Sequence, residues 1–299
     1  MRAAGEKTPA TAAGWRAFAA RRWERAGAAA GQVAADLGDE ALFLVLRGLG
    51  LPLDSPPEVL RRKLSAAENA RLASLVERRA EGAPSAYLLK EAWLGGLRFH
   101  VDERVLIPRS YFTELIPGGL PLEPANVRRA ADVCAGSACL AILMARHYRR
   151  ARVDAVELSA DALEVARLNV RRHRLTGRVA LFRSDLFDAV PEAAYDLIVS
   201  NPPYEPSAVC DKLPREFQRE PRMALDGGRD GLAIIRRLVA QAARRLAPEG
   251  VLAMEVGGLR NAMERGWPGV FHWLPTADGS DCVCLATSGA LRRFHAASK

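Results

Sequence analysis

The stretch Asp196-Leu-Ile-Val-Ser-Asn201-Pro202-Pro203-Tyr204 decides how this chain is read. Asp196 to Ser200 is a short apolar run with β-branched residues, the pattern of a buried strand. It stops at Asn201, because the two prolines lack N–H groups and cannot extend a ladder. Asn201 is therefore expected at a strand end with its side-chain amide free, offering one acceptor oxygen and two donor hydrogens. The carbonyls of Asn201 and Pro202 add acceptors, and Tyr204 adds a flat apolar face. Such a set fits a planar substrate carrying an NH2 group.

Outward from this stretch the chain alternates strand and helix. Strands are expected at 130–134, 152–157, 178–184, 194–200 and 250–256, with helices at about 138–149, 160–173 and 230–247. A short helix near 259–265 precedes two more strands, at about 270–275 and 282–287. This alternation predicts an α/β fold with a doubly wound sheet and right-handed crossovers.

Nucleotide-like cofactors bind such sheets beyond the carboxyl ends of the strands. The first strand leads into Asp132-Val-Cys134-Ala-Gly136-Ser-Ala138, a loop whose glycine lets a ligand approach the backbone. The second strand ends on Glu157, whose carboxylate can accept both hydrogen bonds of a ribose diol. The third ends at Asp185, an acceptor suited to an adenine amino group, with Leu186 or Phe187 to cover the ring. The candidate cofactor contacts are thus Asp132, Cys134, Gly136, Ala138, Glu157, Asp185, Leu186 and Asn201. Each is weak evidence singly; their joint spacing predicts that they converge on one rim of one sheet.

The first 90 residues read differently. Residues 1–11 look like a disordered tail. Trp15, Phe18, Ala19 and Trp23 fall at helical spacing within 12–29. A second helix is expected from Asp39 to Arg47 and a short one from Pro57 to Lys63. Ser65-Ala-Ala-Glu68 is a capping-box pattern opening a third long helix, which Pro84 ends. From Tyr87 to Ile107 the apolar residues alternate loosely around Gly95-Gly96, as in a β-hairpin. Tyr111 to Ile116 reads as a short helix.

Composition sets outer bounds. The 299 residues carry a net charge of +8, yet only five of the 43 basic residues are lysine, so the charge speaks for composition as much as for nucleic acid. No apolar run is long enough to span a membrane, and the start lacks the apolar core of a secretion signal, so a cytoplasmic protein is expected. The five cysteines, Cys134, Cys139, Cys210, Cys282 and Cys284, form no Cys-x-x-Cys pair, and no metal site is expected.

Asn201-Pro-Pro-Tyr204 resembles the signature of methyltransferases that use S-adenosylmethionine to methylate planar amino or amide nitrogens, in DNA, RNA or protein. The whole chain, about residues 12 to 290, resembles the HemK-like glutamine methyltransferases. It is most similar to the branch that modifies a glutamine of a large-subunit ribosomal protein, the third in the standard naming. The segments carrying the likeness are Pro84-Ser-Ala-Tyr-Leu, Val101-Asp-Glu-Arg-Val-Leu-Ile-Pro-Arg-Ser110, Ser184-Asp-Leu-Phe-Asp, the Asn201 tetrad, and Glu220-Pro-Arg-Met-Ala-Leu-Asp-Gly-Gly-Arg-Asp-Gly231. Where the release-factor branch has Pro-Arg-x-Glu-Thr, this chain has Pro108-Arg109-Ser110-Tyr111-Phe112.

The resemblance implies a class I methyltransferase with a seven-stranded Rossmann-like sheet and S-adenosylmethionine as cofactor. It implies a tail at 1–11, a helical substrate-docking domain at 12–90, a linking β-hairpin at 91–108 and a catalytic domain at 109–299. It also implies that Asn201 and Pro202, with Pro203 and Tyr204, form the catalytic grip on a carboxamide, and that Arg109 and Tyr204 line the substrate pocket. The implied partner is a large-subunit ribosomal protein, with contacts to ribosome-assembly RNA, no membrane, and a monomeric enzyme. Two departures stand out: Ala138 replaces a family glycine in the cofactor loop, and Tyr111-Phe112-Thr113 replaces smaller residues near the pocket. Two rival readings remain at this stage, an amino methyltransferase acting on adenine or guanine and a homologue that no longer catalyses.

Overall fold

A computed structural model of the chain describes residues 8–297. Residues 1–7 of the expected tail lie outside that range. The chain forms two compact units, one of Met1–Ala92 with Leu213–Arg219, the other of Trp93–Lys212 with Glu220–Lys299.

The first unit is helical: α1 (Ala12–Arg25), α2 (Leu37–Gly48), α3 (Ala66–Ala80) and α4 (Ser85–Leu89). Thr11 caps α1, accepting the Gly14 N–H, so the chain is tied down one residue before the expected start. The helix ends at Arg25 rather than Ala29, because the chain turns left-handed at Gly27. The expected capping box forms in full: Ser65 Oγ accepts the Glu68 N–H, and the Glu68 carboxylate accepts the Ser65 N–H. Trp15, Trp23, Leu44, Leu72 and Val76 are fully buried between the helices. Pro57–Arg61 is a short 3-10 turn.

Leu213–Arg219 falls within the expected catalytic range but clusters with these helices. The reason is a buried charge. Arg79 is fully buried and donates to both oxygens of Glu40, at 2.6 and 3.0 Å, and to Glu216 at 3.1 Å. Breaking such a set by removing one partner leaves an uncompensated buried charge and costs about 3–5 kcal/mol.

A two-stranded hairpin follows, β1 (Ala92–Leu94) and β2 (Leu97–Phe99), turning at Gly95-Gly96, with all but Ala92 in the second unit. The alternation expected through Ile107 is not strand. Val101, Val105 and Ile107 are buried, but the Asp102 carboxylate accepts the Arg104 N–H and the Asp102 carbonyl accepts the Val105 N–H, which turns the chain. A short helix α5 (Phe112–Leu115) follows.

The sheet then builds in sequence: β3 (Arg129–Val133), α6 (Cys139–His147), β4 (Arg152–Glu157), α7 (Ala160–Arg172), β5 (Val179–Arg183) and β6 (Tyr195–Ser200). After α8 (Ser207–Cys210) come α9 (Ala233–Arg245), β7 (Leu246–Glu255), α10 (Arg260–Gly266), β8 (His272–Leu274), β9 (Val283–Thr287) and α11 (Ser288–Ala297). The seven strands run in the order β5-β4-β3-β6-β7-β9-β8. Neighbours from β5 to β7 are parallel, and β9 pairs antiparallel with both β7 and β8.

Alternate residues on the strands feed two cores. Ala130, Leu197 and Val199 face α6 and α7; Ala131, Val133 and Ile198 face α9, α10 and α11. The expected helices and strands stand within a few residues of their places, with three additions. α4, where the alternation was expected to begin at Tyr87, α8 and α11 were not expected. Helix α11 is held by Arg292, which donates to the carbonyls of Ala243 and Leu246 at 3.2 and 2.7 Å.

Candidate active site

The strand order reverses between β3 and β6, and there the carboxyl ends of β3, β4, β5 and β6 open onto one cavity. Cys134, Gly136, Glu157, Asp185, Leu186, Asn201 and Pro203 line it. Six of the eight expected cofactor residues thus converge as the spacing required.

The loop after β3 is made by left-handed backbone at alternate positions: Cys134 at φ 62°, Gly136 at 52° and Ala138 at 60°. Leu186, which also lines the cavity, has φ 50°. Each non-glycine residue in this region costs on the order of 1–2 kcal/mol, so strain is concentrated around the cavity. At Gly136 the geometry exposes the N–H, which donates to Glu157 Oε2 at 2.8 Å. The Ser159 N–H holds the other oxygen, Oε1, at 2.8 Å. Glu157 is thereby fixed in orientation while both oxygens keep lone pairs for a ligand.

Asp132 and Ala138 do not line the cavity. Ala138 is the cap position of α6 and has no side chain to cap with. Asp132 supplies the missing acceptor from the strand, its Oδ2 taking the Ala141 N–H at 2.8 Å. The other oxygen, Oδ1, is buried without a partner. Burial, with the nearby Glu157 charge adding to it, pushes the Asp132 carboxyl up to about 7. Burial pushes the Cys134 thiol up strongly, so it stands as a neutral wall residue rather than a nucleophile.

Asn201 leaves β6 beside Ser200, whose hydroxyl donates to the Val133 carbonyl at 2.6 Å and ties the two strand ends together. The Asn201 Nδ2 donates to the Arg109 carbonyl at 3.4 Å, a long bond that orients the amide. Tyr204 is packed rather than open. A methyl at Gly257 would lie 2.6 Å from its ring, and one at Gly231 would collide with its carbonyl oxygen. Burial raises the Tyr204 phenol well above its usual range, so it remains protonated. Pro202, Tyr204 and Arg109 are not among the residues that line the cavity.

The segment Glu220 to Gly231 is the wall behind this loop. Glu205 donates its N–H to Leu225 O at 2.9 Å and accepts the Gly227 N–H at 2.8 Å. Two buried carboxylates then clamp Ile107–Tyr111. Glu220 accepts the Ile107 N–H at 2.9 Å and the Arg109 guanidinium at 3.0 Å on both oxygens. Glu255, at the end of β7, accepts Ser110 Oγ at 2.6 Å and the Tyr111 N–H at 3.1 Å. Arg109 is therefore an anchor whose carbonyl reaches Asn201, with its guanidinium engaged by Glu220. Burial raises the Glu255 carboxyl. Neither bulky departure blocks the site: Phe112 is fully buried in the core, and the Tyr111 hydroxyl donates to Asp278 at 2.7 Å.

Sequence reasoning set Arg104, Leu106, Glu220 and Met223 within segments of family likeness without individual roles, and it missed Glu255 and Ser159. Glu255 had a legible signal, an acid closing a strand as Glu157 does. Glu220 stood in a segment of likeness, but its clamping role left no signal, since its partners lie 111 and 113 residues away.

The methyltransferase small domain family matches residues 119–229. A ribosomal protein uL3 glutamine methyltransferase of Bordetella pertussis is 45% identical over 90% of this chain and 92% of its own length. The chain belongs to the ribosomal protein uL3 glutamine methyltransferase family. A further member, from Burkholderia pseudomallei, is 42% identical over 91% of this chain and 93% of its own. Among solved structures, the hMettl16 catalytic domain in complex with a MAT2A 3'UTR hairpin shares the fold at TM-score 0.50. It is 16% identical, with 75% of this chain and 81% of that chain covered.

S-adenosylmethionine is the cofactor of this uL3 glutamine methyltransferase family member, and the donor set in the cavity fits it. Glu157 and Asp185 present two carboxylates to a ligand rich in hydroxyl and amino groups. Val156, Leu158, Leu186 and Ile234 add apolar surface for a flat ring. Asp185 is also engaged by Arg237 at 2.9 Å, which holds it without closing it off, since its side chain remains 42% exposed. Among the described residues no group of three His, Cys, Asp or Glu stands close enough to hold a metal ion, and no helix is long and apolar enough to cross a membrane.

Proposed function

We propose that this protein methylates the side-chain amide nitrogen of a glutamine in ribosomal protein uL3, acting as a monomer in the cytoplasm. The observation that carries the reading is the meeting of Asn201 with Glu157 and Asp185 around one cavity, in a chain 45% identical to a uL3 glutamine methyltransferase.

An amide nitrogen is a poor nucleophile because its lone pair is delocalised into the carbonyl. Bound in the cavity, S-adenosylmethionine supplies an electrophilic methyl group. The work left to the chain is positioning, worth about 7–11 kcal/mol of barrier when reactants are held in near-attack geometry. Asn201 Nδ2 is committed to the Arg109 carbonyl, which leaves Oδ1 as the acceptor for a substrate NH2. In this role Oδ1 and the Pro202 carbonyl accept hydrogen bonds from the two N–H groups of the substrate amide and favour positive charge developing on nitrogen, which releases one proton to solvent once the methyl group is transferred. Pro203 shapes the cavity wall, and Tyr204, pinned by Gly257 and Gly231, keeps the tetrad rigid. The helical unit is assigned the docking of uL3, and the basic surface is assigned contacts to ribosomal RNA.

The test is intact-mass analysis of purified uL3 after incubation with the protein and S-adenosylmethionine, with RNA as the competing acceptor. One added methyl on a uL3 glutamine is the expected result. Methyl transfer to RNA alone, or none, rejects the reading.

A further inference from the structure

The stretches 133–153 and 165–184 together contain ten arginines and no carboxylate. The fold brings most of that charge to one place. α6 ends next to the start of β4, and α7 ends next to the start of β5. Arg178 joins the two turns, donating to the carbonyls of Tyr148 and Ala151 at 2.7 Å each. The Arg152 N–H is bonded to Arg128 O at 2.9 Å and the Val153 N–H to Arg178 O at 2.9 Å. The starts of three adjacent strands, β5, β4 and β3, therefore each bring an arginine to the same edge of the sheet.

Around them Arg149, Arg150, Arg152, Arg171, Arg172 and Arg174 are exposed, and none has a carboxylate partner among the described residues. Elsewhere Arg222, Arg236 and Arg260 are matched by Asp211, Asp230 and Glu264, and unmatched exposed arginines such as Arg21, Arg61, Arg71, Arg244 and Arg265 are scattered along the chain. What sets this edge apart is six of them gathered at adjacent strand starts and helix ends. Helix dipoles favour cations at the ends of α6 and α7, but that effect concerns the last turn only and does not reach Arg149, Arg150 or Arg152.

We propose that this edge, formed by the amino-terminal ends of β3, β4 and β5 with the carboxyl ends of α6 and α7, binds the phosphate backbone of RNA. Guanidinium forks match phosphate oxygens bidentately. A protein partner or a membrane would need an apolar centre, and of the exposed large apolar side chains only Leu168 falls in these stretches. The choice of RNA over other polyanions rests on the proposed ribosomal-protein substrate. β4 is six residues long. It separates the edge from the cavity by about 17–20 Å, so RNA held here leaves the Asn201 rim open.

The test uses the full-length protein and its R149Q/R150Q/R171Q/R172Q variant; Arg178 is kept because it holds the turn. Binding of a labelled RNA hairpin is measured from about 50 to 200 mM salt, where each phosphate contact adds about 0.7–0.9 to the log–log slope. The expected result is a slope shallower by about 3 and an affinity at least tenfold weaker at physiological salt, with cofactor affinity by calorimetry unchanged. An unchanged slope and affinity overturns the proposal, and so does a wild-type preference for polyglutamate over the hairpin at equal salt. Methyl transfer to free uL3 is followed in parallel. Its absence in the wild type would reject the proposed activity, while the RNA slope still decides the binding edge.

Discussion

Replacing Glu220 by Gln tests whether the grip on Asn201 depends on a clamp outside the cavity. The Glu220 side chain is fully buried, and Arg109 is 30% exposed. The amide oxygen of Gln can still accept the Ile107 N–H, but its NH2 group then faces the Arg109 guanidinium, donor against donor. Removing one member of a fully buried pair costs about 3–5 kcal/mol. Arg109 can turn partly into water, so the loss should fall near the lower end, about 2–3 kcal/mol. The Arg109 carbonyl would then no longer be fixed against Asn201, and a misplacement of about 1 Å can cost a hundredfold in rate. Denaturant unfolding should show the stability loss, and single-turnover methyl transfer should show kcat falling by about 100-fold. Calorimetry with S-adenosylmethionine should show little change, because neither Glu220 nor Arg109 lines the cavity. A variant that loses stability but keeps its rate would refute the coupling, as would one whose cofactor affinity falls in step with kcat.

Asn201→Ala should lower kcat by about 10²–10³ through loss of a charge-stabilising acceptor, with cofactor affinity much less affected, as measured by the same two assays. Asp132 carries a carboxyl raised to about 7 by burial, so the folded state holds its proton more tightly than the unfolded chain. Wild-type stability should therefore fall as pH rises from about 4 to 7 and level off above, by about 1.4 kcal/mol per unit at most. Asp132→Asn, which keeps the acceptor for Ala141, should gain over wild type between pH 5 and 8 in thermal melts; equal pH profiles would count against an unpaired buried acid. Ala138→Gly should stabilise by up to about 1 kcal/mol, since it relieves a left-handed alanine while deleting one methyl. A clear loss of stability in urea unfolding would mean that methyl packing outweighs the strain.

The sheet was legible because its strands are apolar runs ended by marked residues, Glu157, Asp185 and Asn201, and a parallel sheet must bring such ends to one rim. Ala138 was legible as a departure, and its cost depended on a torsion angle that only the fold supplies. The role of Glu220 and the placing of the segment Leu213–Arg219 were not legible. Their partners are set by tertiary packing at long separation, which leaves no period or spacing in the chain. α11 escaped for a different reason: it begins Ser288-Gly289, which reads as a stop, and its helix is held by Leu291 and Arg292 against α9 and β7.

The chain passes between its two units three times, at 92/93, 212/213 and 219/220. A cut after residue 92 would leave Arg79 buried in the helical piece without Glu216, and would leave Leu213–Arg219 without the helices it clusters with. The third passage also hands the chain straight from Arg219 to Glu220, the residue that secures Arg109. One peptide bond therefore joins the last residue of the helical unit to the carboxylate that secures Arg109.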